Sequence, residues 1–140
     1  MEMEIRVYRN EDEAAVVQLW RDCNLVVPHN DPHKDIRRKL AFQPDLFLVG
    51  VDGNRVVASI IAGYEGHRGW LNYLAVAPDR QRAGLGRQMA AETERRLRSL
   101  GCPKISLQVR KSNPAAVDFY RRIGFLEDDV VSMGKRLEKD

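Results

Sequence analysis

Cysteine is scarce in this sequence of 140 residues, and the two that occur, Cys23 and Cys102, form no CxxC pair. Such usage is typical of reduced thiols in a cytosolic protein rather than of a disulfide framework or a metal site. Long apolar runs are missing as well, since none approaches the ~18 residues that a membrane span requires. The acidic start, residues 1–4, does not resemble a signal peptide. We therefore expect a cytoplasmic protein that does not insert into a membrane.

Aromatic residues and excess charge are also in short supply. Aromatic residues make up 7% of the chain, and the net charge is only +3. This mild basicity permits anionic ligands, but the sequence has no recognisable nucleic-acid motif, so we expect no nucleic-acid partner. With 44% hydrophobic and 31% charged residues, the composition is that of a globular protein. The length predicts one domain, residues 1–140.

Hydrophobic periodicity and capping residues predict the element order β-α-α-β-β-β-α-β-α-β-β. Three residue pairs mark predicted helix starts: Asn10 with Glu13, Asp31-Pro32 and Asn113-Pro114. Predicted strands cover 5–7, 46–51, 56–62, 70–76 and 105–109, and a last β segment begins at 124 and ends near 137. Three hairpin strands followed by β-α units predict an α/β (α+β) fold, in which helices flank both faces of a mixed, mostly antiparallel sheet.

The segment 81–86 is the most informative local pattern, because it joins a predicted strand to a long helix. Small residues at 83, 84 and 86 allow backbone N–H groups to approach a ligand closely, and the helix start supplies further donors. Arg80, Arg82 and Arg87 add positive charge. The pattern predicts a pyrophosphate site, with a simple connecting turn as the alternative. The segment lacks the third glycine of a dinucleotide fingerprint and the Gly-Lys-Ser/Thr of a P-loop.

A second motif lies at 113–125, NPAAVDFYRRIGF. It resembles the N-x-x-A-x-x-F/L-Y-x-x-x-G-F signature of the GNAT family of N-acetyltransferases. The segment 81–86 is similar to that family's Q/R-x-x-G-x-G/A loop, and Tyr73 to Pro78 looks like its central strand. Within the family, the chain resembles the bacterial YpeA-type acetyltransferases and, through them, the RimI type. The resemblance spans nearly the whole chain and implies the GNAT fold.

The resemblance implies acetyl-CoA as the acetyl donor, and the spacing of cysteines and histidines predicts no metal. The central strand, residues Leu74, Ala75 and Val76, would hydrogen-bond the pantetheine arm. Asn113 would contact the pantetheine or acetyl end, and Tyr120 would protonate the departing thiolate, which its ordinary pKa of ~10 allows. The alternative for Tyr120 is a core aromatic role. The residues of the pyrophosphate loop would be Gln81, Arg82, Ala83, Gly84, Leu85, Gly86 and Arg87.

The acceptor side departs from the family pattern at Gln108. RimI-like sequences carry a glutamate there as the proposed base, and an amide cannot take the proton of an ammonium group. Glu65 and His67, on a turn beside the central strand, are the candidate replacements for base and acceptor binding. An ordinary solvated turn and an ordered water are the alternatives. His29 and His33 lie on either side of a helix start and have no third ligand near them, so we expect no metal there.

These inferences predict an acetyl-CoA-dependent N-acetyltransferase that transfers the acetyl group directly to a primary amine. A backbone N–H near Val76 would stabilise the developing oxyanion. Direct transfer is expected because neither cysteine has a histidine beside it in the sequence. The acceptor is left open among small molecules, protein N-termini and lysines, as is a homodimer. The alternative function is a non-catalytic acyl-CoA sensor with the same fold.

Overall fold

The structure is a computed structural model that describes residues 2–140 and divides into two compact units. The first unit ends at Leu107, and the second runs from Gln108 to Asp140. Among the described residues, no helix is long and apolar enough to cross a membrane.

The elements follow the predicted order as far as the fourth helix. The strands are β1 (Glu4–Val7), β2 (Phe47–Asp52), β3 (Arg55–Tyr64), β4 (Gly69–Val76) and β5 (Ile105–Leu107). The helices are α1 (Glu13–Asp22), α2 (Pro32–Leu40), α3 (Leu85–Ser99) and α4 (Pro114–Arg122), and short 3₁₀ turns cover 10–12, 44–46 and 78–80.

The five strands form one sheet in the order β1-β2-β3-β4-β5. All neighbouring pairs are antiparallel except β4 and β5, which are parallel and connected through α3. The tight turn at Gly53 and Asn54 joins β2 to β3, and Gly53 has a φ of +61°, which suits glycine. The predicted mixed, mostly antiparallel sheet is confirmed.

Helices cover both faces of this sheet. On one face, Trp20 of α1 and Ile36 of α2 belong to the same buried cluster as Phe47 and Val49 of β2. Successive side chains of a strand point to opposite faces, so Leu48 lies on the other side. There α3 contacts β2, β3 and β4. The sheet is therefore buried on both faces, as predicted.

The start of α1 differs from the prediction. A 3₁₀ turn covers Asn10–Asp12, and α1 begins at Glu13. The Asp12 carboxylate, rather than an Asn10 cap, accepts the Arg9 N–H at 2.8 Å. It also accepts hydrogen bonds from Nη1 and Nη2 of the Arg6 guanidinium, at 2.7 and 2.9 Å. The guanidinium of Arg6 on β1 thus holds the buried Asp12 carboxylate in place, and this carboxylate in turn stabilises the 3₁₀ turn before α1.

The prediction of a last β segment is wrong, and β5 is shorter than expected. No strand occurs from 125 to 137, and β5 ends at Leu107 instead of continuing through Val109. A strand gains its stability from a paired backbone and one covered face. The large apolar side chains of the segment are 76–90% exposed, so this burial is missing; they are Leu126, Val130, Val131, Met133 and Leu137.

Candidate active site

A β-bulge interrupts the pairing of β3 with β4. Ser59 lies opposite Ala75 and Ile61 opposite Asn72, so Ile60 faces two residues, Tyr73 and Leu74. Tyr73 has a φ of +52°, in the left-handed region that a bulky side chain rarely adopts. Such strain persists only where the surroundings enforce it, and it is concentrated at functional sites.

Buried side chains hold the bulge in this conformation. The indole N–H of Trp20 donates to the Ser59 hydroxyl at 2.9 Å, and that hydroxyl donates to the Tyr73 carbonyl at 3.1 Å. Trp20 and Ser59 are both fully buried, and the Trp20 ring stacks on the ring of Tyr73. The backbone and the side chain of Tyr73 are thus both restrained from α1 and β3.

On the side of β4 that pairs with β5, the edge of the strand is open from Asn72 onward. β5 pairs only with Gly69 to Leu71, and among the described strands none pairs with this edge further along. The N–H of Ala77 donates to the Val57 carbonyl at 2.8 Å, toward β3. Because backbone groups alternate along a strand, those of Val76 face the open edge. An extended chain can add to such an edge through main-chain hydrogen bonds.

The segment after β4 presents backbone donors at the start of α3. Arg82 and Gly84 have φ values of +65° and +81°, and Gly84 is the residue before the first turn. The N-cap residue, Gly84, has no side chain to cap this helix, and the first turn has no acidic residue, so its N–H groups lie at the positive end of the helix with no carboxylate in the same turn. A Cβ at Gly84 would meet no atom within 4 Å, which shows open space there.

The polar side chains around this segment divide into two groups. Arg82 and Arg87 are exposed, as is Ala83, which follows Arg82. Arg80 instead bonds to Asp52 at 2.7 Å, so it braces the loop against the end of β2. The amide of Gln81 donates to the Val76 carbonyl at 3.1 Å. Gln81 therefore connects the loop to the open strand edge.

The thiol of Cys23 also bonds to the Val76 carbonyl, at 3.2 Å. Burial raises the pKa of this thiol, so it is protonated and acts as a donor. Cys23 and Cys102 are both free. Among the described residues, no group of three or more His, Cys, Asp and Glu side chains is arranged to hold a metal ion.

The two residues predicted for the acceptor side lie on the turn before β4. One oxygen of the Glu65 carboxylate accepts the N–H groups of His67, at 3.0 Å, and of Arg68. The carboxylate thus closes its own turn, and the His67 side chain is exposed. The strand begins at Gly69, about 13 Å before Tyr73 at the usual rise per residue. Glu65 and His67 therefore lie near the far end of β4 from the bulge.

Sequence reasoning missed the carboxylate that does contact the bulge. The Tyr73 hydroxyl donates to Oδ2 of Asp35 at 2.6 Å, and Arg38 donates to Oδ1 at 3.1 Å. Asp35 adjoins the inward-facing Ile36 on α2, but nothing in the sequence associates it with a tyrosine 38 positions later. Only the packing of α2 against the sheet brings the two together.

The second unit carries the other predicted residues. Oδ1 of Asn113 accepts the N–H of Ala116 at 3.2 Å and caps α4, with Pro114 in the first turn, as predicted. Tyr120 makes edge contacts with the rings of Phe119 and Phe125, at centroid distances of 5.1 and 5.5 Å. Burial raises the pKa of Tyr120 to about 12. The amide of Gln108 donates to the Ser132 hydroxyl.

A comparison with protein families agrees with this geometry. The profile of the Acetyltransferase (GNAT) family matches residues 14–125. The chain belongs to this family of N-acetyltransferases. A protein of Pectobacterium atrosepticum named as an acetyltransferase is 44% identical to this GNAT chain over 138 residues, which cover 99% of the chain and 98% of the relative.

Solved structures support the GNAT fold. The ribosomal-protein-S18-alanine N-acetyltransferase of Escherichia coli has a TM-score of 0.75 and 24% identity, covering 91% of this chain and 79% of its own. The PaiA N-acetyltransferase of Thermoplasma acidophilum, solved with coenzyme A, has a TM-score of 0.74 and 19% identity, covering 94% of each chain. The family and the fold that the motifs implied are therefore confirmed.

Proposed function

We propose that this chain binds acetyl-CoA and transfers the acetyl group directly to a primary amine. The observation that carries the proposal is that the open edge of β4, the bulge at Tyr73 and the uncapped start of α3 follow one another along the chain. The edge offers backbone groups in extended geometry, and the helix start offers N–H donors at its positive end. Acetyl-CoA has an amide-containing arm and a pyrophosphate, which match these two features.

The residues present fit such a donor. Leu74, Ala75 and Val76 form the strand segment along which the pantetheine arm would lie, and Val76 faces the edge. The loop from Gln81 to Arg87 would hold the pyrophosphate through its N–H groups, with no carboxylate in the first helical turn to repel it. Asn113 would contact the pantetheine or acetyl end.

The chemistry calls for a group that stabilises negative charge on the thioester oxygen and for an acid that protonates the sulfur. A backbone N–H near Val76 supplies the first in this proposal. Tyr120 supplies the second, since a phenol with a pKa of about 12 keeps its proton at neutral pH. A developing thiolate is basic enough to accept that proton.

Direct transfer is the proposed route because the cysteine nearest to the open edge is a poor nucleophile. The Cys23 thiol donates to the Val76 carbonyl and has a raised pKa, and thiols react as thiolates. The acceptor amine therefore attacks the thioester itself. Glu65 remains a candidate base and His67 a candidate acceptor-binding residue, although the Glu65 carboxylate already accepts two N–H groups of its turn.

A second candidate function is an acyl-CoA sensor with the same fold. The observation that favours it is Gln108, whose amide bonds to Ser132 and cannot accept an ammonium proton. A sensor binds acetyl-CoA but transfers nothing to any amine.

A thermal melt with acetyl-CoA tests the donor site, with dephospho-CoA and ATP as controls. At ~100 times Kd, binding adds about 2.7 kcal/mol to the free energy of unfolding, which raises Tm by several degrees. A rise specific to acetyl-CoA is the expected result. An unchanged Tm for the folded protein would show that the segment 81–87 is only a turn, and the proposal would be overturned.

A further inference from the structure

We infer that Tyr73 and Asp35 bind the ammonium group of the acceptor and remove its first proton. The inference rests on the proposed function, and it names the class of substrate as an amine that arrives as a cation. It assigns the task of the base to a pair of side chains at the bulge, with Tyr73 in contact with the amine and Asp35 as the positioning residue behind it.

The hydrogen bond between the two side chains sets the direction of proton transfer. The Tyr73 hydroxyl donates its proton to Asp35 at 2.6 Å. A hydroxyl has one donor and two acceptor positions, so a phenol that donates to a carboxylate meets an ammonium group as an acceptor. The second carboxylate oxygen is held by Arg38, which leaves the Asp35 orientation fixed from its own helix.

Tyr73 belongs to the bulge, so its side chain leaves β4 beside the start of the open edge. Tyr73 is the residue at which β4 bulges, and the exposed backbone edge of Val76 follows it. Its ring is clamped against Trp20, with ring centroids 3.9 Å apart and planes inclined by 14°, on the α1 and α2 side of the sheet. A proton acceptor on this side complements an acetyl donor along the strand edge.

The other candidate bases are less well placed. Gln108 carries an amide, and Glu65 uses its carboxylate oxygen to close a turn at the opposite end of β4. The Tyr73–Asp35 pair combines a carboxylate with direct contact to the bulge.

In each turnover the acceptor nitrogen loses two protons and the sulfur gains one. The ammonium gives one proton to the Tyr73 oxygen while the phenolic proton passes to Asp35, which releases it to solvent. The neutral amine forms the new C–N bond, the C–S bond breaks, and the sulfur takes a proton from Tyr120, which is replenished by solvent. The nitrogen sheds a second proton to water, so each turnover releases one proton net.

Two small nucleophiles of similar size separate this role from a structural one. Methylamine is a cation at neutral pH and must lose a proton before it attacks, whereas hydroxylamine is neutral and need not. Thiol release from acetyl-CoA is followed with each, after subtraction of an enzyme-free blank. In Asp35→Asn and Tyr73→Phe, we expect kcat/KM for methylamine to fall about 100-fold and that for hydroxylamine to change less than about threefold.

The controls make each outcome decisive. Glu94→Gln removes an exposed carboxylate of α3 and should leave both rates unchanged. Tyr73→Phe retains the ring that stacks on Trp20, so it carries the test if Asp35→Asn does not fold. Equal losses of kcat/KM with both nucleophiles would overturn the inference and leave the proposed function standing. A loss selective for methylamine that occurs in Glu65→Gln, and not in the Tyr73 or Asp35 variants, would do the same. A wild-type protein that binds acetyl-CoA but transfers acetyl neither to these two nucleophiles nor to any amine of a broader panel would overturn both.

Discussion

The aromatic rings of Trp20 and Tyr73 lie stacked, with centroids 3.9 Å apart, and thereby connect α1 to the bulge of β4. The contact joins a fully buried residue of the core to a residue whose backbone is in the left-handed region. The cost of that conformation is thus met by core packing rather than by the loop chemistry of a turn. The geometry of the proposed reaction centre consequently depends on buried residues that do not touch the substrates.

Replacing the Ser59 hydroxyl should destabilise the protein measurably. In Ser59→Ala, the Trp20 N–H and the Tyr73 carbonyl lose their partner inside the sheet, and an unsatisfied buried polar group costs about 1–3 kcal/mol. Thermal unfolding should show a Tm lowered by several degrees.

A double-mutant cycle checks that the loss comes from this relay. Trp20→Phe removes the indole N–H, so its effect should not add to that of Ser59→Ala. If the two free-energy changes summed to that of the double variant, the hydroxyl would not act through Trp20, and the account of the bulge would be wrong.

Tyr120→Phe should lower kcat about 100-fold or more and leave acetyl-CoA affinity nearly unchanged, because the phenol acts only as an acid in the transition state. With a pKa of about 12, the wild-type phenol stays protonated up to about pH 10, so its ionisation should not reduce kcat below that pH. Steady-state kinetics from pH 6 to about pH 10 measure both effects.

Tyr8→Phe is the matched control for this variant. The Tyr8 hydroxyl is buried without a hydrogen-bond partner among the described residues, so its removal should cost no stability and no turnover. Wild-type kcat in Tyr120→Phe would remove Tyr120 from the mechanism.

Arg82→Gln should weaken acetyl-CoA binding by about two- to fivefold, the usual worth of an exposed charge contact. Because salt screens such contacts, the difference from wild type should shrink as the ionic strength rises. Binding titrations at low and high salt provide the measurement. Arg98→Gln, in the last turn of the same helix, should bind like wild type; equal losses in both variants would contradict a pyrophosphate site at the start of α3.

Asp12→Asn should destabilise the fold and also flatten its acid response. The hydrogen bond from Arg6 lowers the pKa of Asp12 below its ordinary range, so its stabilisation is present above about pH 4 and is lost as the pH falls further. Loss of the charged hydrogen bonds should cost about 1.5–3 kcal/mol at pH 7. Denaturant unfolding at pH 7 and pH 3 should therefore show that the free energy of unfolding falls less between these pH values in the variant than in wild type. The exposed Asp22→Asn change should behave as wild type does, and an equal acid response in Asp12→Asn would refute this role.

Local chemistry explains what the sequence could predict. Asp31 caps α2 by accepting the N–H groups of His33 and Lys34, at 2.9 and 3.4 Å, and Asn113 caps α4. Gly101, with a φ of +86°, follows the end of α3. These signals lie within a few residues of the structure they determine, so the element order as far as α4 was predictable.

The misses come from contacts between distant parts of the chain. The carboxylate of Asp12 accepts hydrogen bonds from Arg6 on β1, and a turn built on this contact replaces the predicted Asn10 cap. Asp35 contacts Tyr73 only because α2 packs on the sheet. A last strand was predicted from residue 124 to near 137, but a local sequence pattern supplies neither a neighbouring strand to pair with nor a side chain layer to cover it. The bulge could not be predicted from the sequence either, because its register shift arises only when β4 pairs with β3.

Acetyl transfer itself is the most direct test of the central claim. The protein is incubated with acetyl-CoA and a panel of amines that includes a peptide N-terminus, lysine, a polyamine and an aminoglycoside, and acetylated products are sought by mass spectrometry while free thiol is measured. We predict an acetylated amine formed in equal amount with the released thiol, and its loss in Tyr120→Phe. Saturable binding of acetyl-CoA with no acetylated amine from any member of the panel would contradict a transferase and favour the sensor.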